Sequence, residues 1–475
     1  MAEFPELKSA LQEWVNDAIS SLSADTGASY RTTDLPHWQR DSDGVFRDIE
    51  RVVEKWDRTS VDSLFDLPSW AVVLDVLHAD DRLSRQLDTS VGTKGGGSHR
   101  FETASIGRRV LPCPSEVDQL TEAFEKRYAE LEGFLAADEI EYTVIWPLPG
   151  LTSDVLPVHL DPMLEVASMS DRELGFALDT EVVRTLFPRD RLLNPQSEQR
   201  TCARYRYMLP KVVGDRDEDE SLRAFGEIEK RLRQMESALE ESLALVLPYA
   251  IGVAGRFSIV SEPGSPLSGG VGYQQSTLPQ GTRLRHVRMD DQQAAELLRV
   301  WQHLRQPGLL QRHKGIALAL RRLSYQAQRE RPEDELLDTM IAAEALYLTE
   351  LGNEAERGEL RYRLALRAAL WAEPGQVGYT KREVLGIMKS AYDARSAIAH
   401  GGTPKPEDIK VRGQRVPLEE LIKAAKSVIT RGCRTALARV ASPGGSWPPD
   451  WDGLALGSEP PIGEPETTYS SAEHG

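Results

Sequence analysis

Residues 391–402 read Ala391-Tyr392-Asp393-Ala394-Arg395-Ser396-Ala397-Ile398-Ala399-His400-Gly401-Gly402, with Pro404 two positions further on. The two glycines supply a left-handed stop and Pro404 forbids continuation, so a helix beginning near Lys381 is expected to end at about His400. That places the imidazole at the negative end of a helix dipole, a position suited to a group that works as acid or base near neutral pH. Arg395 lies five positions earlier, about 140° around an ideal helix. On a straight helix the two side chains diverge. They converge on one phosphate only if the last turn unwinds or if a second copy of the motif approaches, which points to a composite site across a dimer. An Arg-x4-His pair alone is a weak signal in an arginine-rich chain, so its surroundings must carry the reading.

Around this helix, everything after Gly308 reads as helix. The expected segments are Leu310–Glu330, Pro332–Leu351, Ala355–Trp371, Lys381–His400 and Pro417–Val440. Each carries an apolar stripe. One runs Leu336, Leu337, Met340, Ile341, Ala343 and Tyr347, and the last runs Leu418, Leu421, Ile422, Ala425, Ile429, Cys433 and Leu437. Helices of this kind with short links predict a compact bundle over 306–441. From Gln311 to Ala441 there are 23 Lys and Arg against 17 Asp and Glu, inside a chain of net charge −17. A basic segment in an acidic protein can hold a phosphate backbone locally, although a solvated mixed-charge surface gives the same count.

The fold class expected overall is mostly α with an α+β N-terminal part. Residues 1–135 read as helical: Leu7, Leu11, Trp14, Val15, Ala18 and Leu22 fall at helical spacing, and Ser115 with Asp118 resembles a capping pair for a second helix. Between them, Gly92 to His99 places a lysine among glycines without the Gly-Lys-Ser/Thr ending of a phosphate loop, and reads as a surface loop. Residues 136–305 read as α+β. Tyr142–Trp146, Val155–Val158 and Ala203–Met208 suggest strands, and an acidic loop, Asp215–Glu220, leads to a long helix over Ser221–Leu247. Pro263–Gly281 reads as a loop, and Asp290 with Gln293 as a capping box for a helix that stops near Gly308. Residues 442–475, rich in Pro, Gly, Ser and acids, are expected to form a disordered acidic tail on which Trp447 and Trp451 could still dock.

Three scattered cysteines argue against a disulfide framework or a zinc cluster and fit a reducing cytosol, hence a cytoplasmic location. No cationic-then-apolar leader opens the chain, and the longest apolar stretch, Leu243–Gly255, is too short to span a bilayer, so no membrane is expected. There is no CxxC, HExxH, GxSxG or Walker lysine, and His99, His159, His286 and His303 have no ligand-spaced partners. Neither metal nor cofactor is expected.

Arg395-Ser-Ala-Ile-Ala-His400-Gly at the end of a bundle helix resembles the HEPN ribonuclease motif, an Arg, usually a polar residue, then a His a few positions later. The preceding helices resemble the ApeA-like branch of that superfamily. Leu336 to Leu346, with Glu344 inside an apolar run, is similar to its second-helix signature, and Arg361 to Ala369 to its Arg-rich third helix. The lead-in VRMDDQQAAELLRVWQHL is also similar to such proteins. The resemblance covers roughly residues 285 to 441. Ser396 departs from the Asn often found after the Arg, while keeping a polar group.

The resemblance implies metal-independent RNA cleavage. One His400 would deprotonate a ribose 2′-hydroxyl, its dimer counterpart would protonate the leaving 5′-oxygen, and Arg395 would stabilise the charged phosphorane. Ser396 would donate to phosphate or cap the helix end. Glu344, a carboxylate on an apolar face, needs a partner, for which Arg363 and Arg367 on the next helix are candidates. Those two arginines share a face and would touch RNA or pair with acids. Tyr392 would stack a base or pack in the core. Lys405, Lys410, Arg412 and Arg415 form a backbone-contact patch or a solvated turn. The implied partners are RNA and a second copy of the chain, or a higher homo-oligomer, with a phage-derived trigger or regulatory partner. The implied setting is antiphage defence of the abortive-infection type. The rival readings are a non-catalytic HEPN module for binding or oligomerisation, and a toxin neutralised by a partner.

Overall fold

The computed structural model describes all residues except 1–2, 26, 41–45, 88–89, 94–97, 101, 172, 175–199, 214–217, 250, 254, 261–271, 276–285, 350–358, 372–377 and 458–475. The protein is mostly helical with some sheet. It divides into two compact units, residues 1–236 with 253–281, and residues 237–252 with 282–475.

In the first unit, helices α1 (Pro5–Ala24), α2 (Pro68–Ala79), α3 (Thr103–Val110) and α4 (Leu120–Ala136) share one apolar core. The heptad-like spacing of Leu7, Leu11, Trp14, Val15, Ala18 and Leu22 does what it predicts, since all six are buried. Trp14 lies against Phe65 and Trp70 at ring separations of 5.6 and 4.9 Å, and its indole donates to the Leu64 carbonyl. A Cβ on Gly107 would sit 2.7 Å from Phe65 and 2.8 Å from Trp14, so only glycine lets α3 approach this cluster.

The same region is not wholly helical. Strands β1 (Ser29–Arg40) and β2 (Phe46–Trp56) form an antiparallel hairpin whose register shifts between Asp34 and His37. Pro36 falls within that irregular stretch, where a missing amide costs no ladder bond. The expected loop at Gly92–His99 contributes to β3 (Ser90–Thr93) and β4 (Ser98–Arg100), which pair with each other, while residues 94–97 lie outside the described residues. The cap before α4 is also shifted. Cys113, not Ser115, caps a 3-10 turn, Pro114–Gln119, that leads into α4, with the Glu116 carboxylate accepting from the Cys113 amide. Pro114 explains the shift, because proline suits the first helical position.

Further strands, β5 (Glu139–Pro147), β8 (Thr201–Val213), β9 (Gly255–Val260) and β10 (Gly272–Gln275), join β3 and β4 in an antiparallel sheet ordered β10-β9-β5-β8-β3-β4, and the hairpin of β6 (Val158–Asp161) and β7 (Leu164–Ser168) is also joined to β8. Strand β5 pairs with β8 from Glu139↔Pro210 to Pro147↔Cys202. Strand β9 pairs with β5 and with β10, so the segment expected as a loop over Pro263–Gly281 contains a strand. The expected strand at Val155–Val158 begins only at Val158. Helix α5 runs from Glu218 to Val246, so it begins within the expected acidic loop rather than at Ser221; residues 215–217 of that loop lie outside the described residues.

The second unit is a helical assembly. Helix α6 (Asp291–Leu304) starts with the anticipated capping box, in which Asp290 and Gln293 exchange bonds of 2.8 and 3.0 Å. The segment expected as one helix over 310–330 is broken at His313. It comprises a short turn, Leu309–Arg312, then α7 (Lys314–Ser324) and a 3-10 turn to Gln328. Helix α8 (Pro332–Tyr347) is central and touches α7, α9 (Leu360–Trp371), α10 (Lys381–Ala399) and α11 (Leu418–Ala441). Residues 350–358, where two predicted helix ends fall, lie outside the described residues. The core of this unit includes Leu336, Met340, Leu346, Leu364, Met388, Ala391, Leu421, Ile429 and Leu437, each fully excluded from solvent. Burying each of the larger side chains contributes about 1.5–3 kcal/mol.

Beyond Ala441 the chain is ordered to Gly457, contrary to the disordered tail expected there; residues 458–475 lie outside the described residues. Trp447 stacks edge-on against Trp371 at 4.8 Å and donates to the Leu346 carbonyl. Trp451, opening the short helix Trp451–Leu456, meets Tyr347 and Trp371. Aromatic burial of this size outweighs the cost of ordering a short segment. Among the described residues no helix is long and apolar enough to cross a membrane.

Candidate functional site

Helix α10 begins at a capping box in which Thr380 and Glu383 satisfy each other's amides, a T-x-x-E pattern. Those bonds from Thr380, together with nearby Arg412, hold the Glu383 carboxyl below its usual range. The helix ends as the double glycine requires. The Gly401 amide donates to the Ile398 carbonyl and the Gly402 amide to the Ala397 carbonyl, both at 2.9 Å, with Gly401 at φ +76°. This is the Schellman arrangement, and it leaves His400 as the helix-capping residue, exposed to solvent.

Arg395 faces the other way. Its Nη2 lies 3.3 Å from Oε2 of Glu344, on α8, and both side chains are about one-third exposed or less, at 27% and 30%. The arginine Nε is buried with no hydrogen-bond partner among the described residues. Burial pushes the Glu344 carboxyl above its usual range and Arg395 opposes that shift. Tyr392 contributes its ring 6.0 Å from the Arg395 guanidinium carbon, and Ser396 accepts the His400 amide through its carbonyl. The last turn of α10 stays helical to Ala399, so Arg395 and His400 leave one helix about 140° apart.

The partner of Glu344 is therefore Arg395, rather than the Arg363 or Arg367 suggested by the sequence. Arg367 donates to the Tyr347 carbonyl at 2.7 Å and lies over the Trp451 ring, tying α9 to the end of α8. Arg363 is half-buried on α9. Lys405 is exposed in the turn after His400. Lys410 and Arg412 lie on a small hairpin of β11 (Lys410–Val411) and β12 (Gln414–Arg415), where Arg412 (φ +54°) and Gly413 (φ +78°) form the turn. Positive φ at both central positions is the signature of a type I′ turn, an uncommon conformation for arginine.

A groove of about 570 Å³ lies along α10, between α9 and this hairpin. Its cations are Arg361, Arg382, Lys389, Lys410 and Arg412. Arg382 and Lys389 belong to no motif in the sequence; their seven-residue spacing on one helix, which puts both on one face, is the signal that marks them. Among the described residues no group of three or more His, Cys, Asp or Glu side chains is placed to hold a metal ion.

No family model matches the chain, and neither the curated proteins nor the solved structures contain a match to it.

Proposed function

We propose that the helical unit is a HEPN-type endoribonuclease of the ApeA-like branch, acting on RNA without a metal. The observation that carries this reading is His400, held at a glycine-capped helix end and open to solvent, with Arg395 five residues earlier on the same helix. In the reaction, one His400 takes the proton of a ribose 2′-hydroxyl. The 2′-oxygen attacks the adjacent phosphorus, the bond from phosphorus to the 5′-oxygen breaks, and that oxygen receives a proton from the second histidine. The products are a 2′,3′-cyclic phosphate and a 5′-hydroxyl end. Arg395 neutralises the phosphorane charge.

The angular offset between Arg395 and His400 supports a site completed by a second copy, so the active form in this proposal is a homodimer or higher homo-oligomer. The setting is cytoplasmic antiphage defence of the abortive-infection type, with the first unit sensing or restraining the second. The test is incubation of total RNA with the full chain and with His400→Ala, in EDTA, followed by analysis of the RNA ends. Cleavage by the wild type alone, with cyclic phosphate ends, supports the proposal.

The Arg395–Glu344 pair favours a second reading, a non-catalytic module for binding or oligomerisation, because a paired guanidinium is less available to phosphate. Equal inertness of wild type and His400→Ala supports that reading.

A further inference from the structure

We infer that the groove along α10 binds the backbone of single-stranded RNA and leads it to His400. This deepens the ribonuclease proposal and rests on it for the identity of the nucleic acid.

The first argument is alignment. Arg382, Lys389, Asp393 and His400 are separated by seven, four and seven residues, so they fall within about 40° of one another around the helix. Lys389 and Asp393 line the groove, and His400 continues the same stripe about 10 Å past Asp393. Arg395 lies on the opposite side, against Glu344. The groove therefore belongs to the histidine's face.

The second argument is charge availability. Five cations from three elements line the groove, against the acids Glu383, Asp393 and Asp408. Asp393 engages Arg361, and Glu383 lies 3.4 Å from Arg412, which also donates to the Gly378 carbonyl. These pairs fix the walls. The Arg382 and Lys410 side chains are exposed and make no bond or ion pair among the described residues, so they can meet phosphate without breaking an existing contact. Between them, Gly386 leaves open space where a Cβ would project.

The third argument separates single strands from duplexes. Tyr362 exposes 45% of its surface, and the Lys389 ammonium, which lines the groove, sits 4.7 Å from its ring centre. An exposed ring beside a basic groove is the pairing that holds unpaired bases, because every base offers a stacking face. A duplex hides those faces.

The test uses full-length His400→Ala, so that bound RNA survives, and fluorescence anisotropy with a labelled single-stranded RNA of about twelve nucleotides. Adding Arg382→Gln and Lys410→Gln is expected to weaken binding at least about tenfold and to reduce the slope of log affinity against log salt by about 1.4, the value for two lost phosphate contacts. Tyr362→Leu is expected to weaken binding by about tenfold. Both substituted side chains of the pair are exposed, and an unchanged melting temperature establishes that the fold is kept. The inference is overturned if the double substitution leaves affinity unchanged, if His400→Ala binds no RNA, or if duplex RNA binds more tightly than the single strand. Its failure is distinguishable from that of the ribonuclease proposal. Wild-type cleavage that the double substitution does not slow removes the groove and keeps the nuclease. Groove-dependent binding without wild-type cleavage does the reverse.

Discussion

The guanidinium of Arg395 and the carboxylate of Glu344 are joined across α10 and α8 at 3.3 Å, in a site where burial raises the acid's affinity for its proton. The pair thus couples the proposed phosphate-binding arginine to the central helix of its unit. Removing the arginine leaves a half-buried carboxyl without its cation. Arg395→Ala is expected to cost about 1–3 kcal/mol at pH 8, measured by urea unfolding. A carboxyl with a raised folded pKa destabilises the protein as pH rises through that value, and loss of Arg395 raises it further. The cost should therefore be smaller at pH 5 than at pH 8. An equal cost at both values would mean that the pair does not couple to folding.

A second carboxyl gives a pH signature of its own. Burial pushes Glu241 up to about 7, against a smaller opposing effect of Arg321. The unfolded chain gives up this proton near the ordinary value of about 4.3. Stability is thus highest below that value and falls as pH rises towards 7. Glu241→Gln should flatten this decline and stabilise the protein above pH 7 by on the order of 2 kcal/mol. Urea unfolding between pH 4.5 and 8 checks it, and a variant no more stable than wild type at pH 8 would refute it.

The aromatic cluster formed by Tyr347, Trp371, Trp447 and Trp451 makes the segment after Ala441 part of the fold. Trp451→Ala should cost about 3 kcal/mol, near the lower end for a buried tryptophan. Ending the chain at Ala441 should cost more and expose Trp371 to a hydrophobic dye. A truncated chain with the wild-type melting temperature would contradict this.

Two glycines predict opposite outcomes. A Cβ at Gly432 would collide with the Tyr347 hydroxyl, so Gly432→Ala should destabilise by about 1–3 kcal/mol. At Gly386, within α10, a Cβ meets nothing within 4 Å, so Gly386→Ala should stabilise by about 0.5–1 kcal/mol. Thermal unfolding of the two variants side by side decides both.

What could be read from residues alone follows from how local the cause is. The end of α10 was legible because Gly401, Gly402 and Pro404 act within one turn, and the start of α6 because Asp290 and Gln293 cap locally. The Thr380–Glu383 box was equally local, a signal present in the sequence. The β1–β2 hairpin was hidden because Leu35-Pro36 interrupts any alternation and few apolar residues mark a face. The partner of Glu344 was hidden for a different reason. Arg395 is 51 positions away on a helix that packs alongside, and no spacing rule reaches that far. The groove was half legible: Lys410 and Arg412 stood out as a basic run, while Arg382 and Lys389 gained meaning only when α9 and the hairpin framed their face.

The most direct measurement is the chemistry of RNA ends after incubation with the full chain in EDTA, beside His400→Ala at equal concentration and with the same melting temperature. The account predicts 2′,3′-cyclic phosphate and 5′-hydroxyl ends from the wild type and intact RNA from the variant. Ends bearing 5′-phosphate, or cleavage by the variant at the wild-type rate, would contradict it.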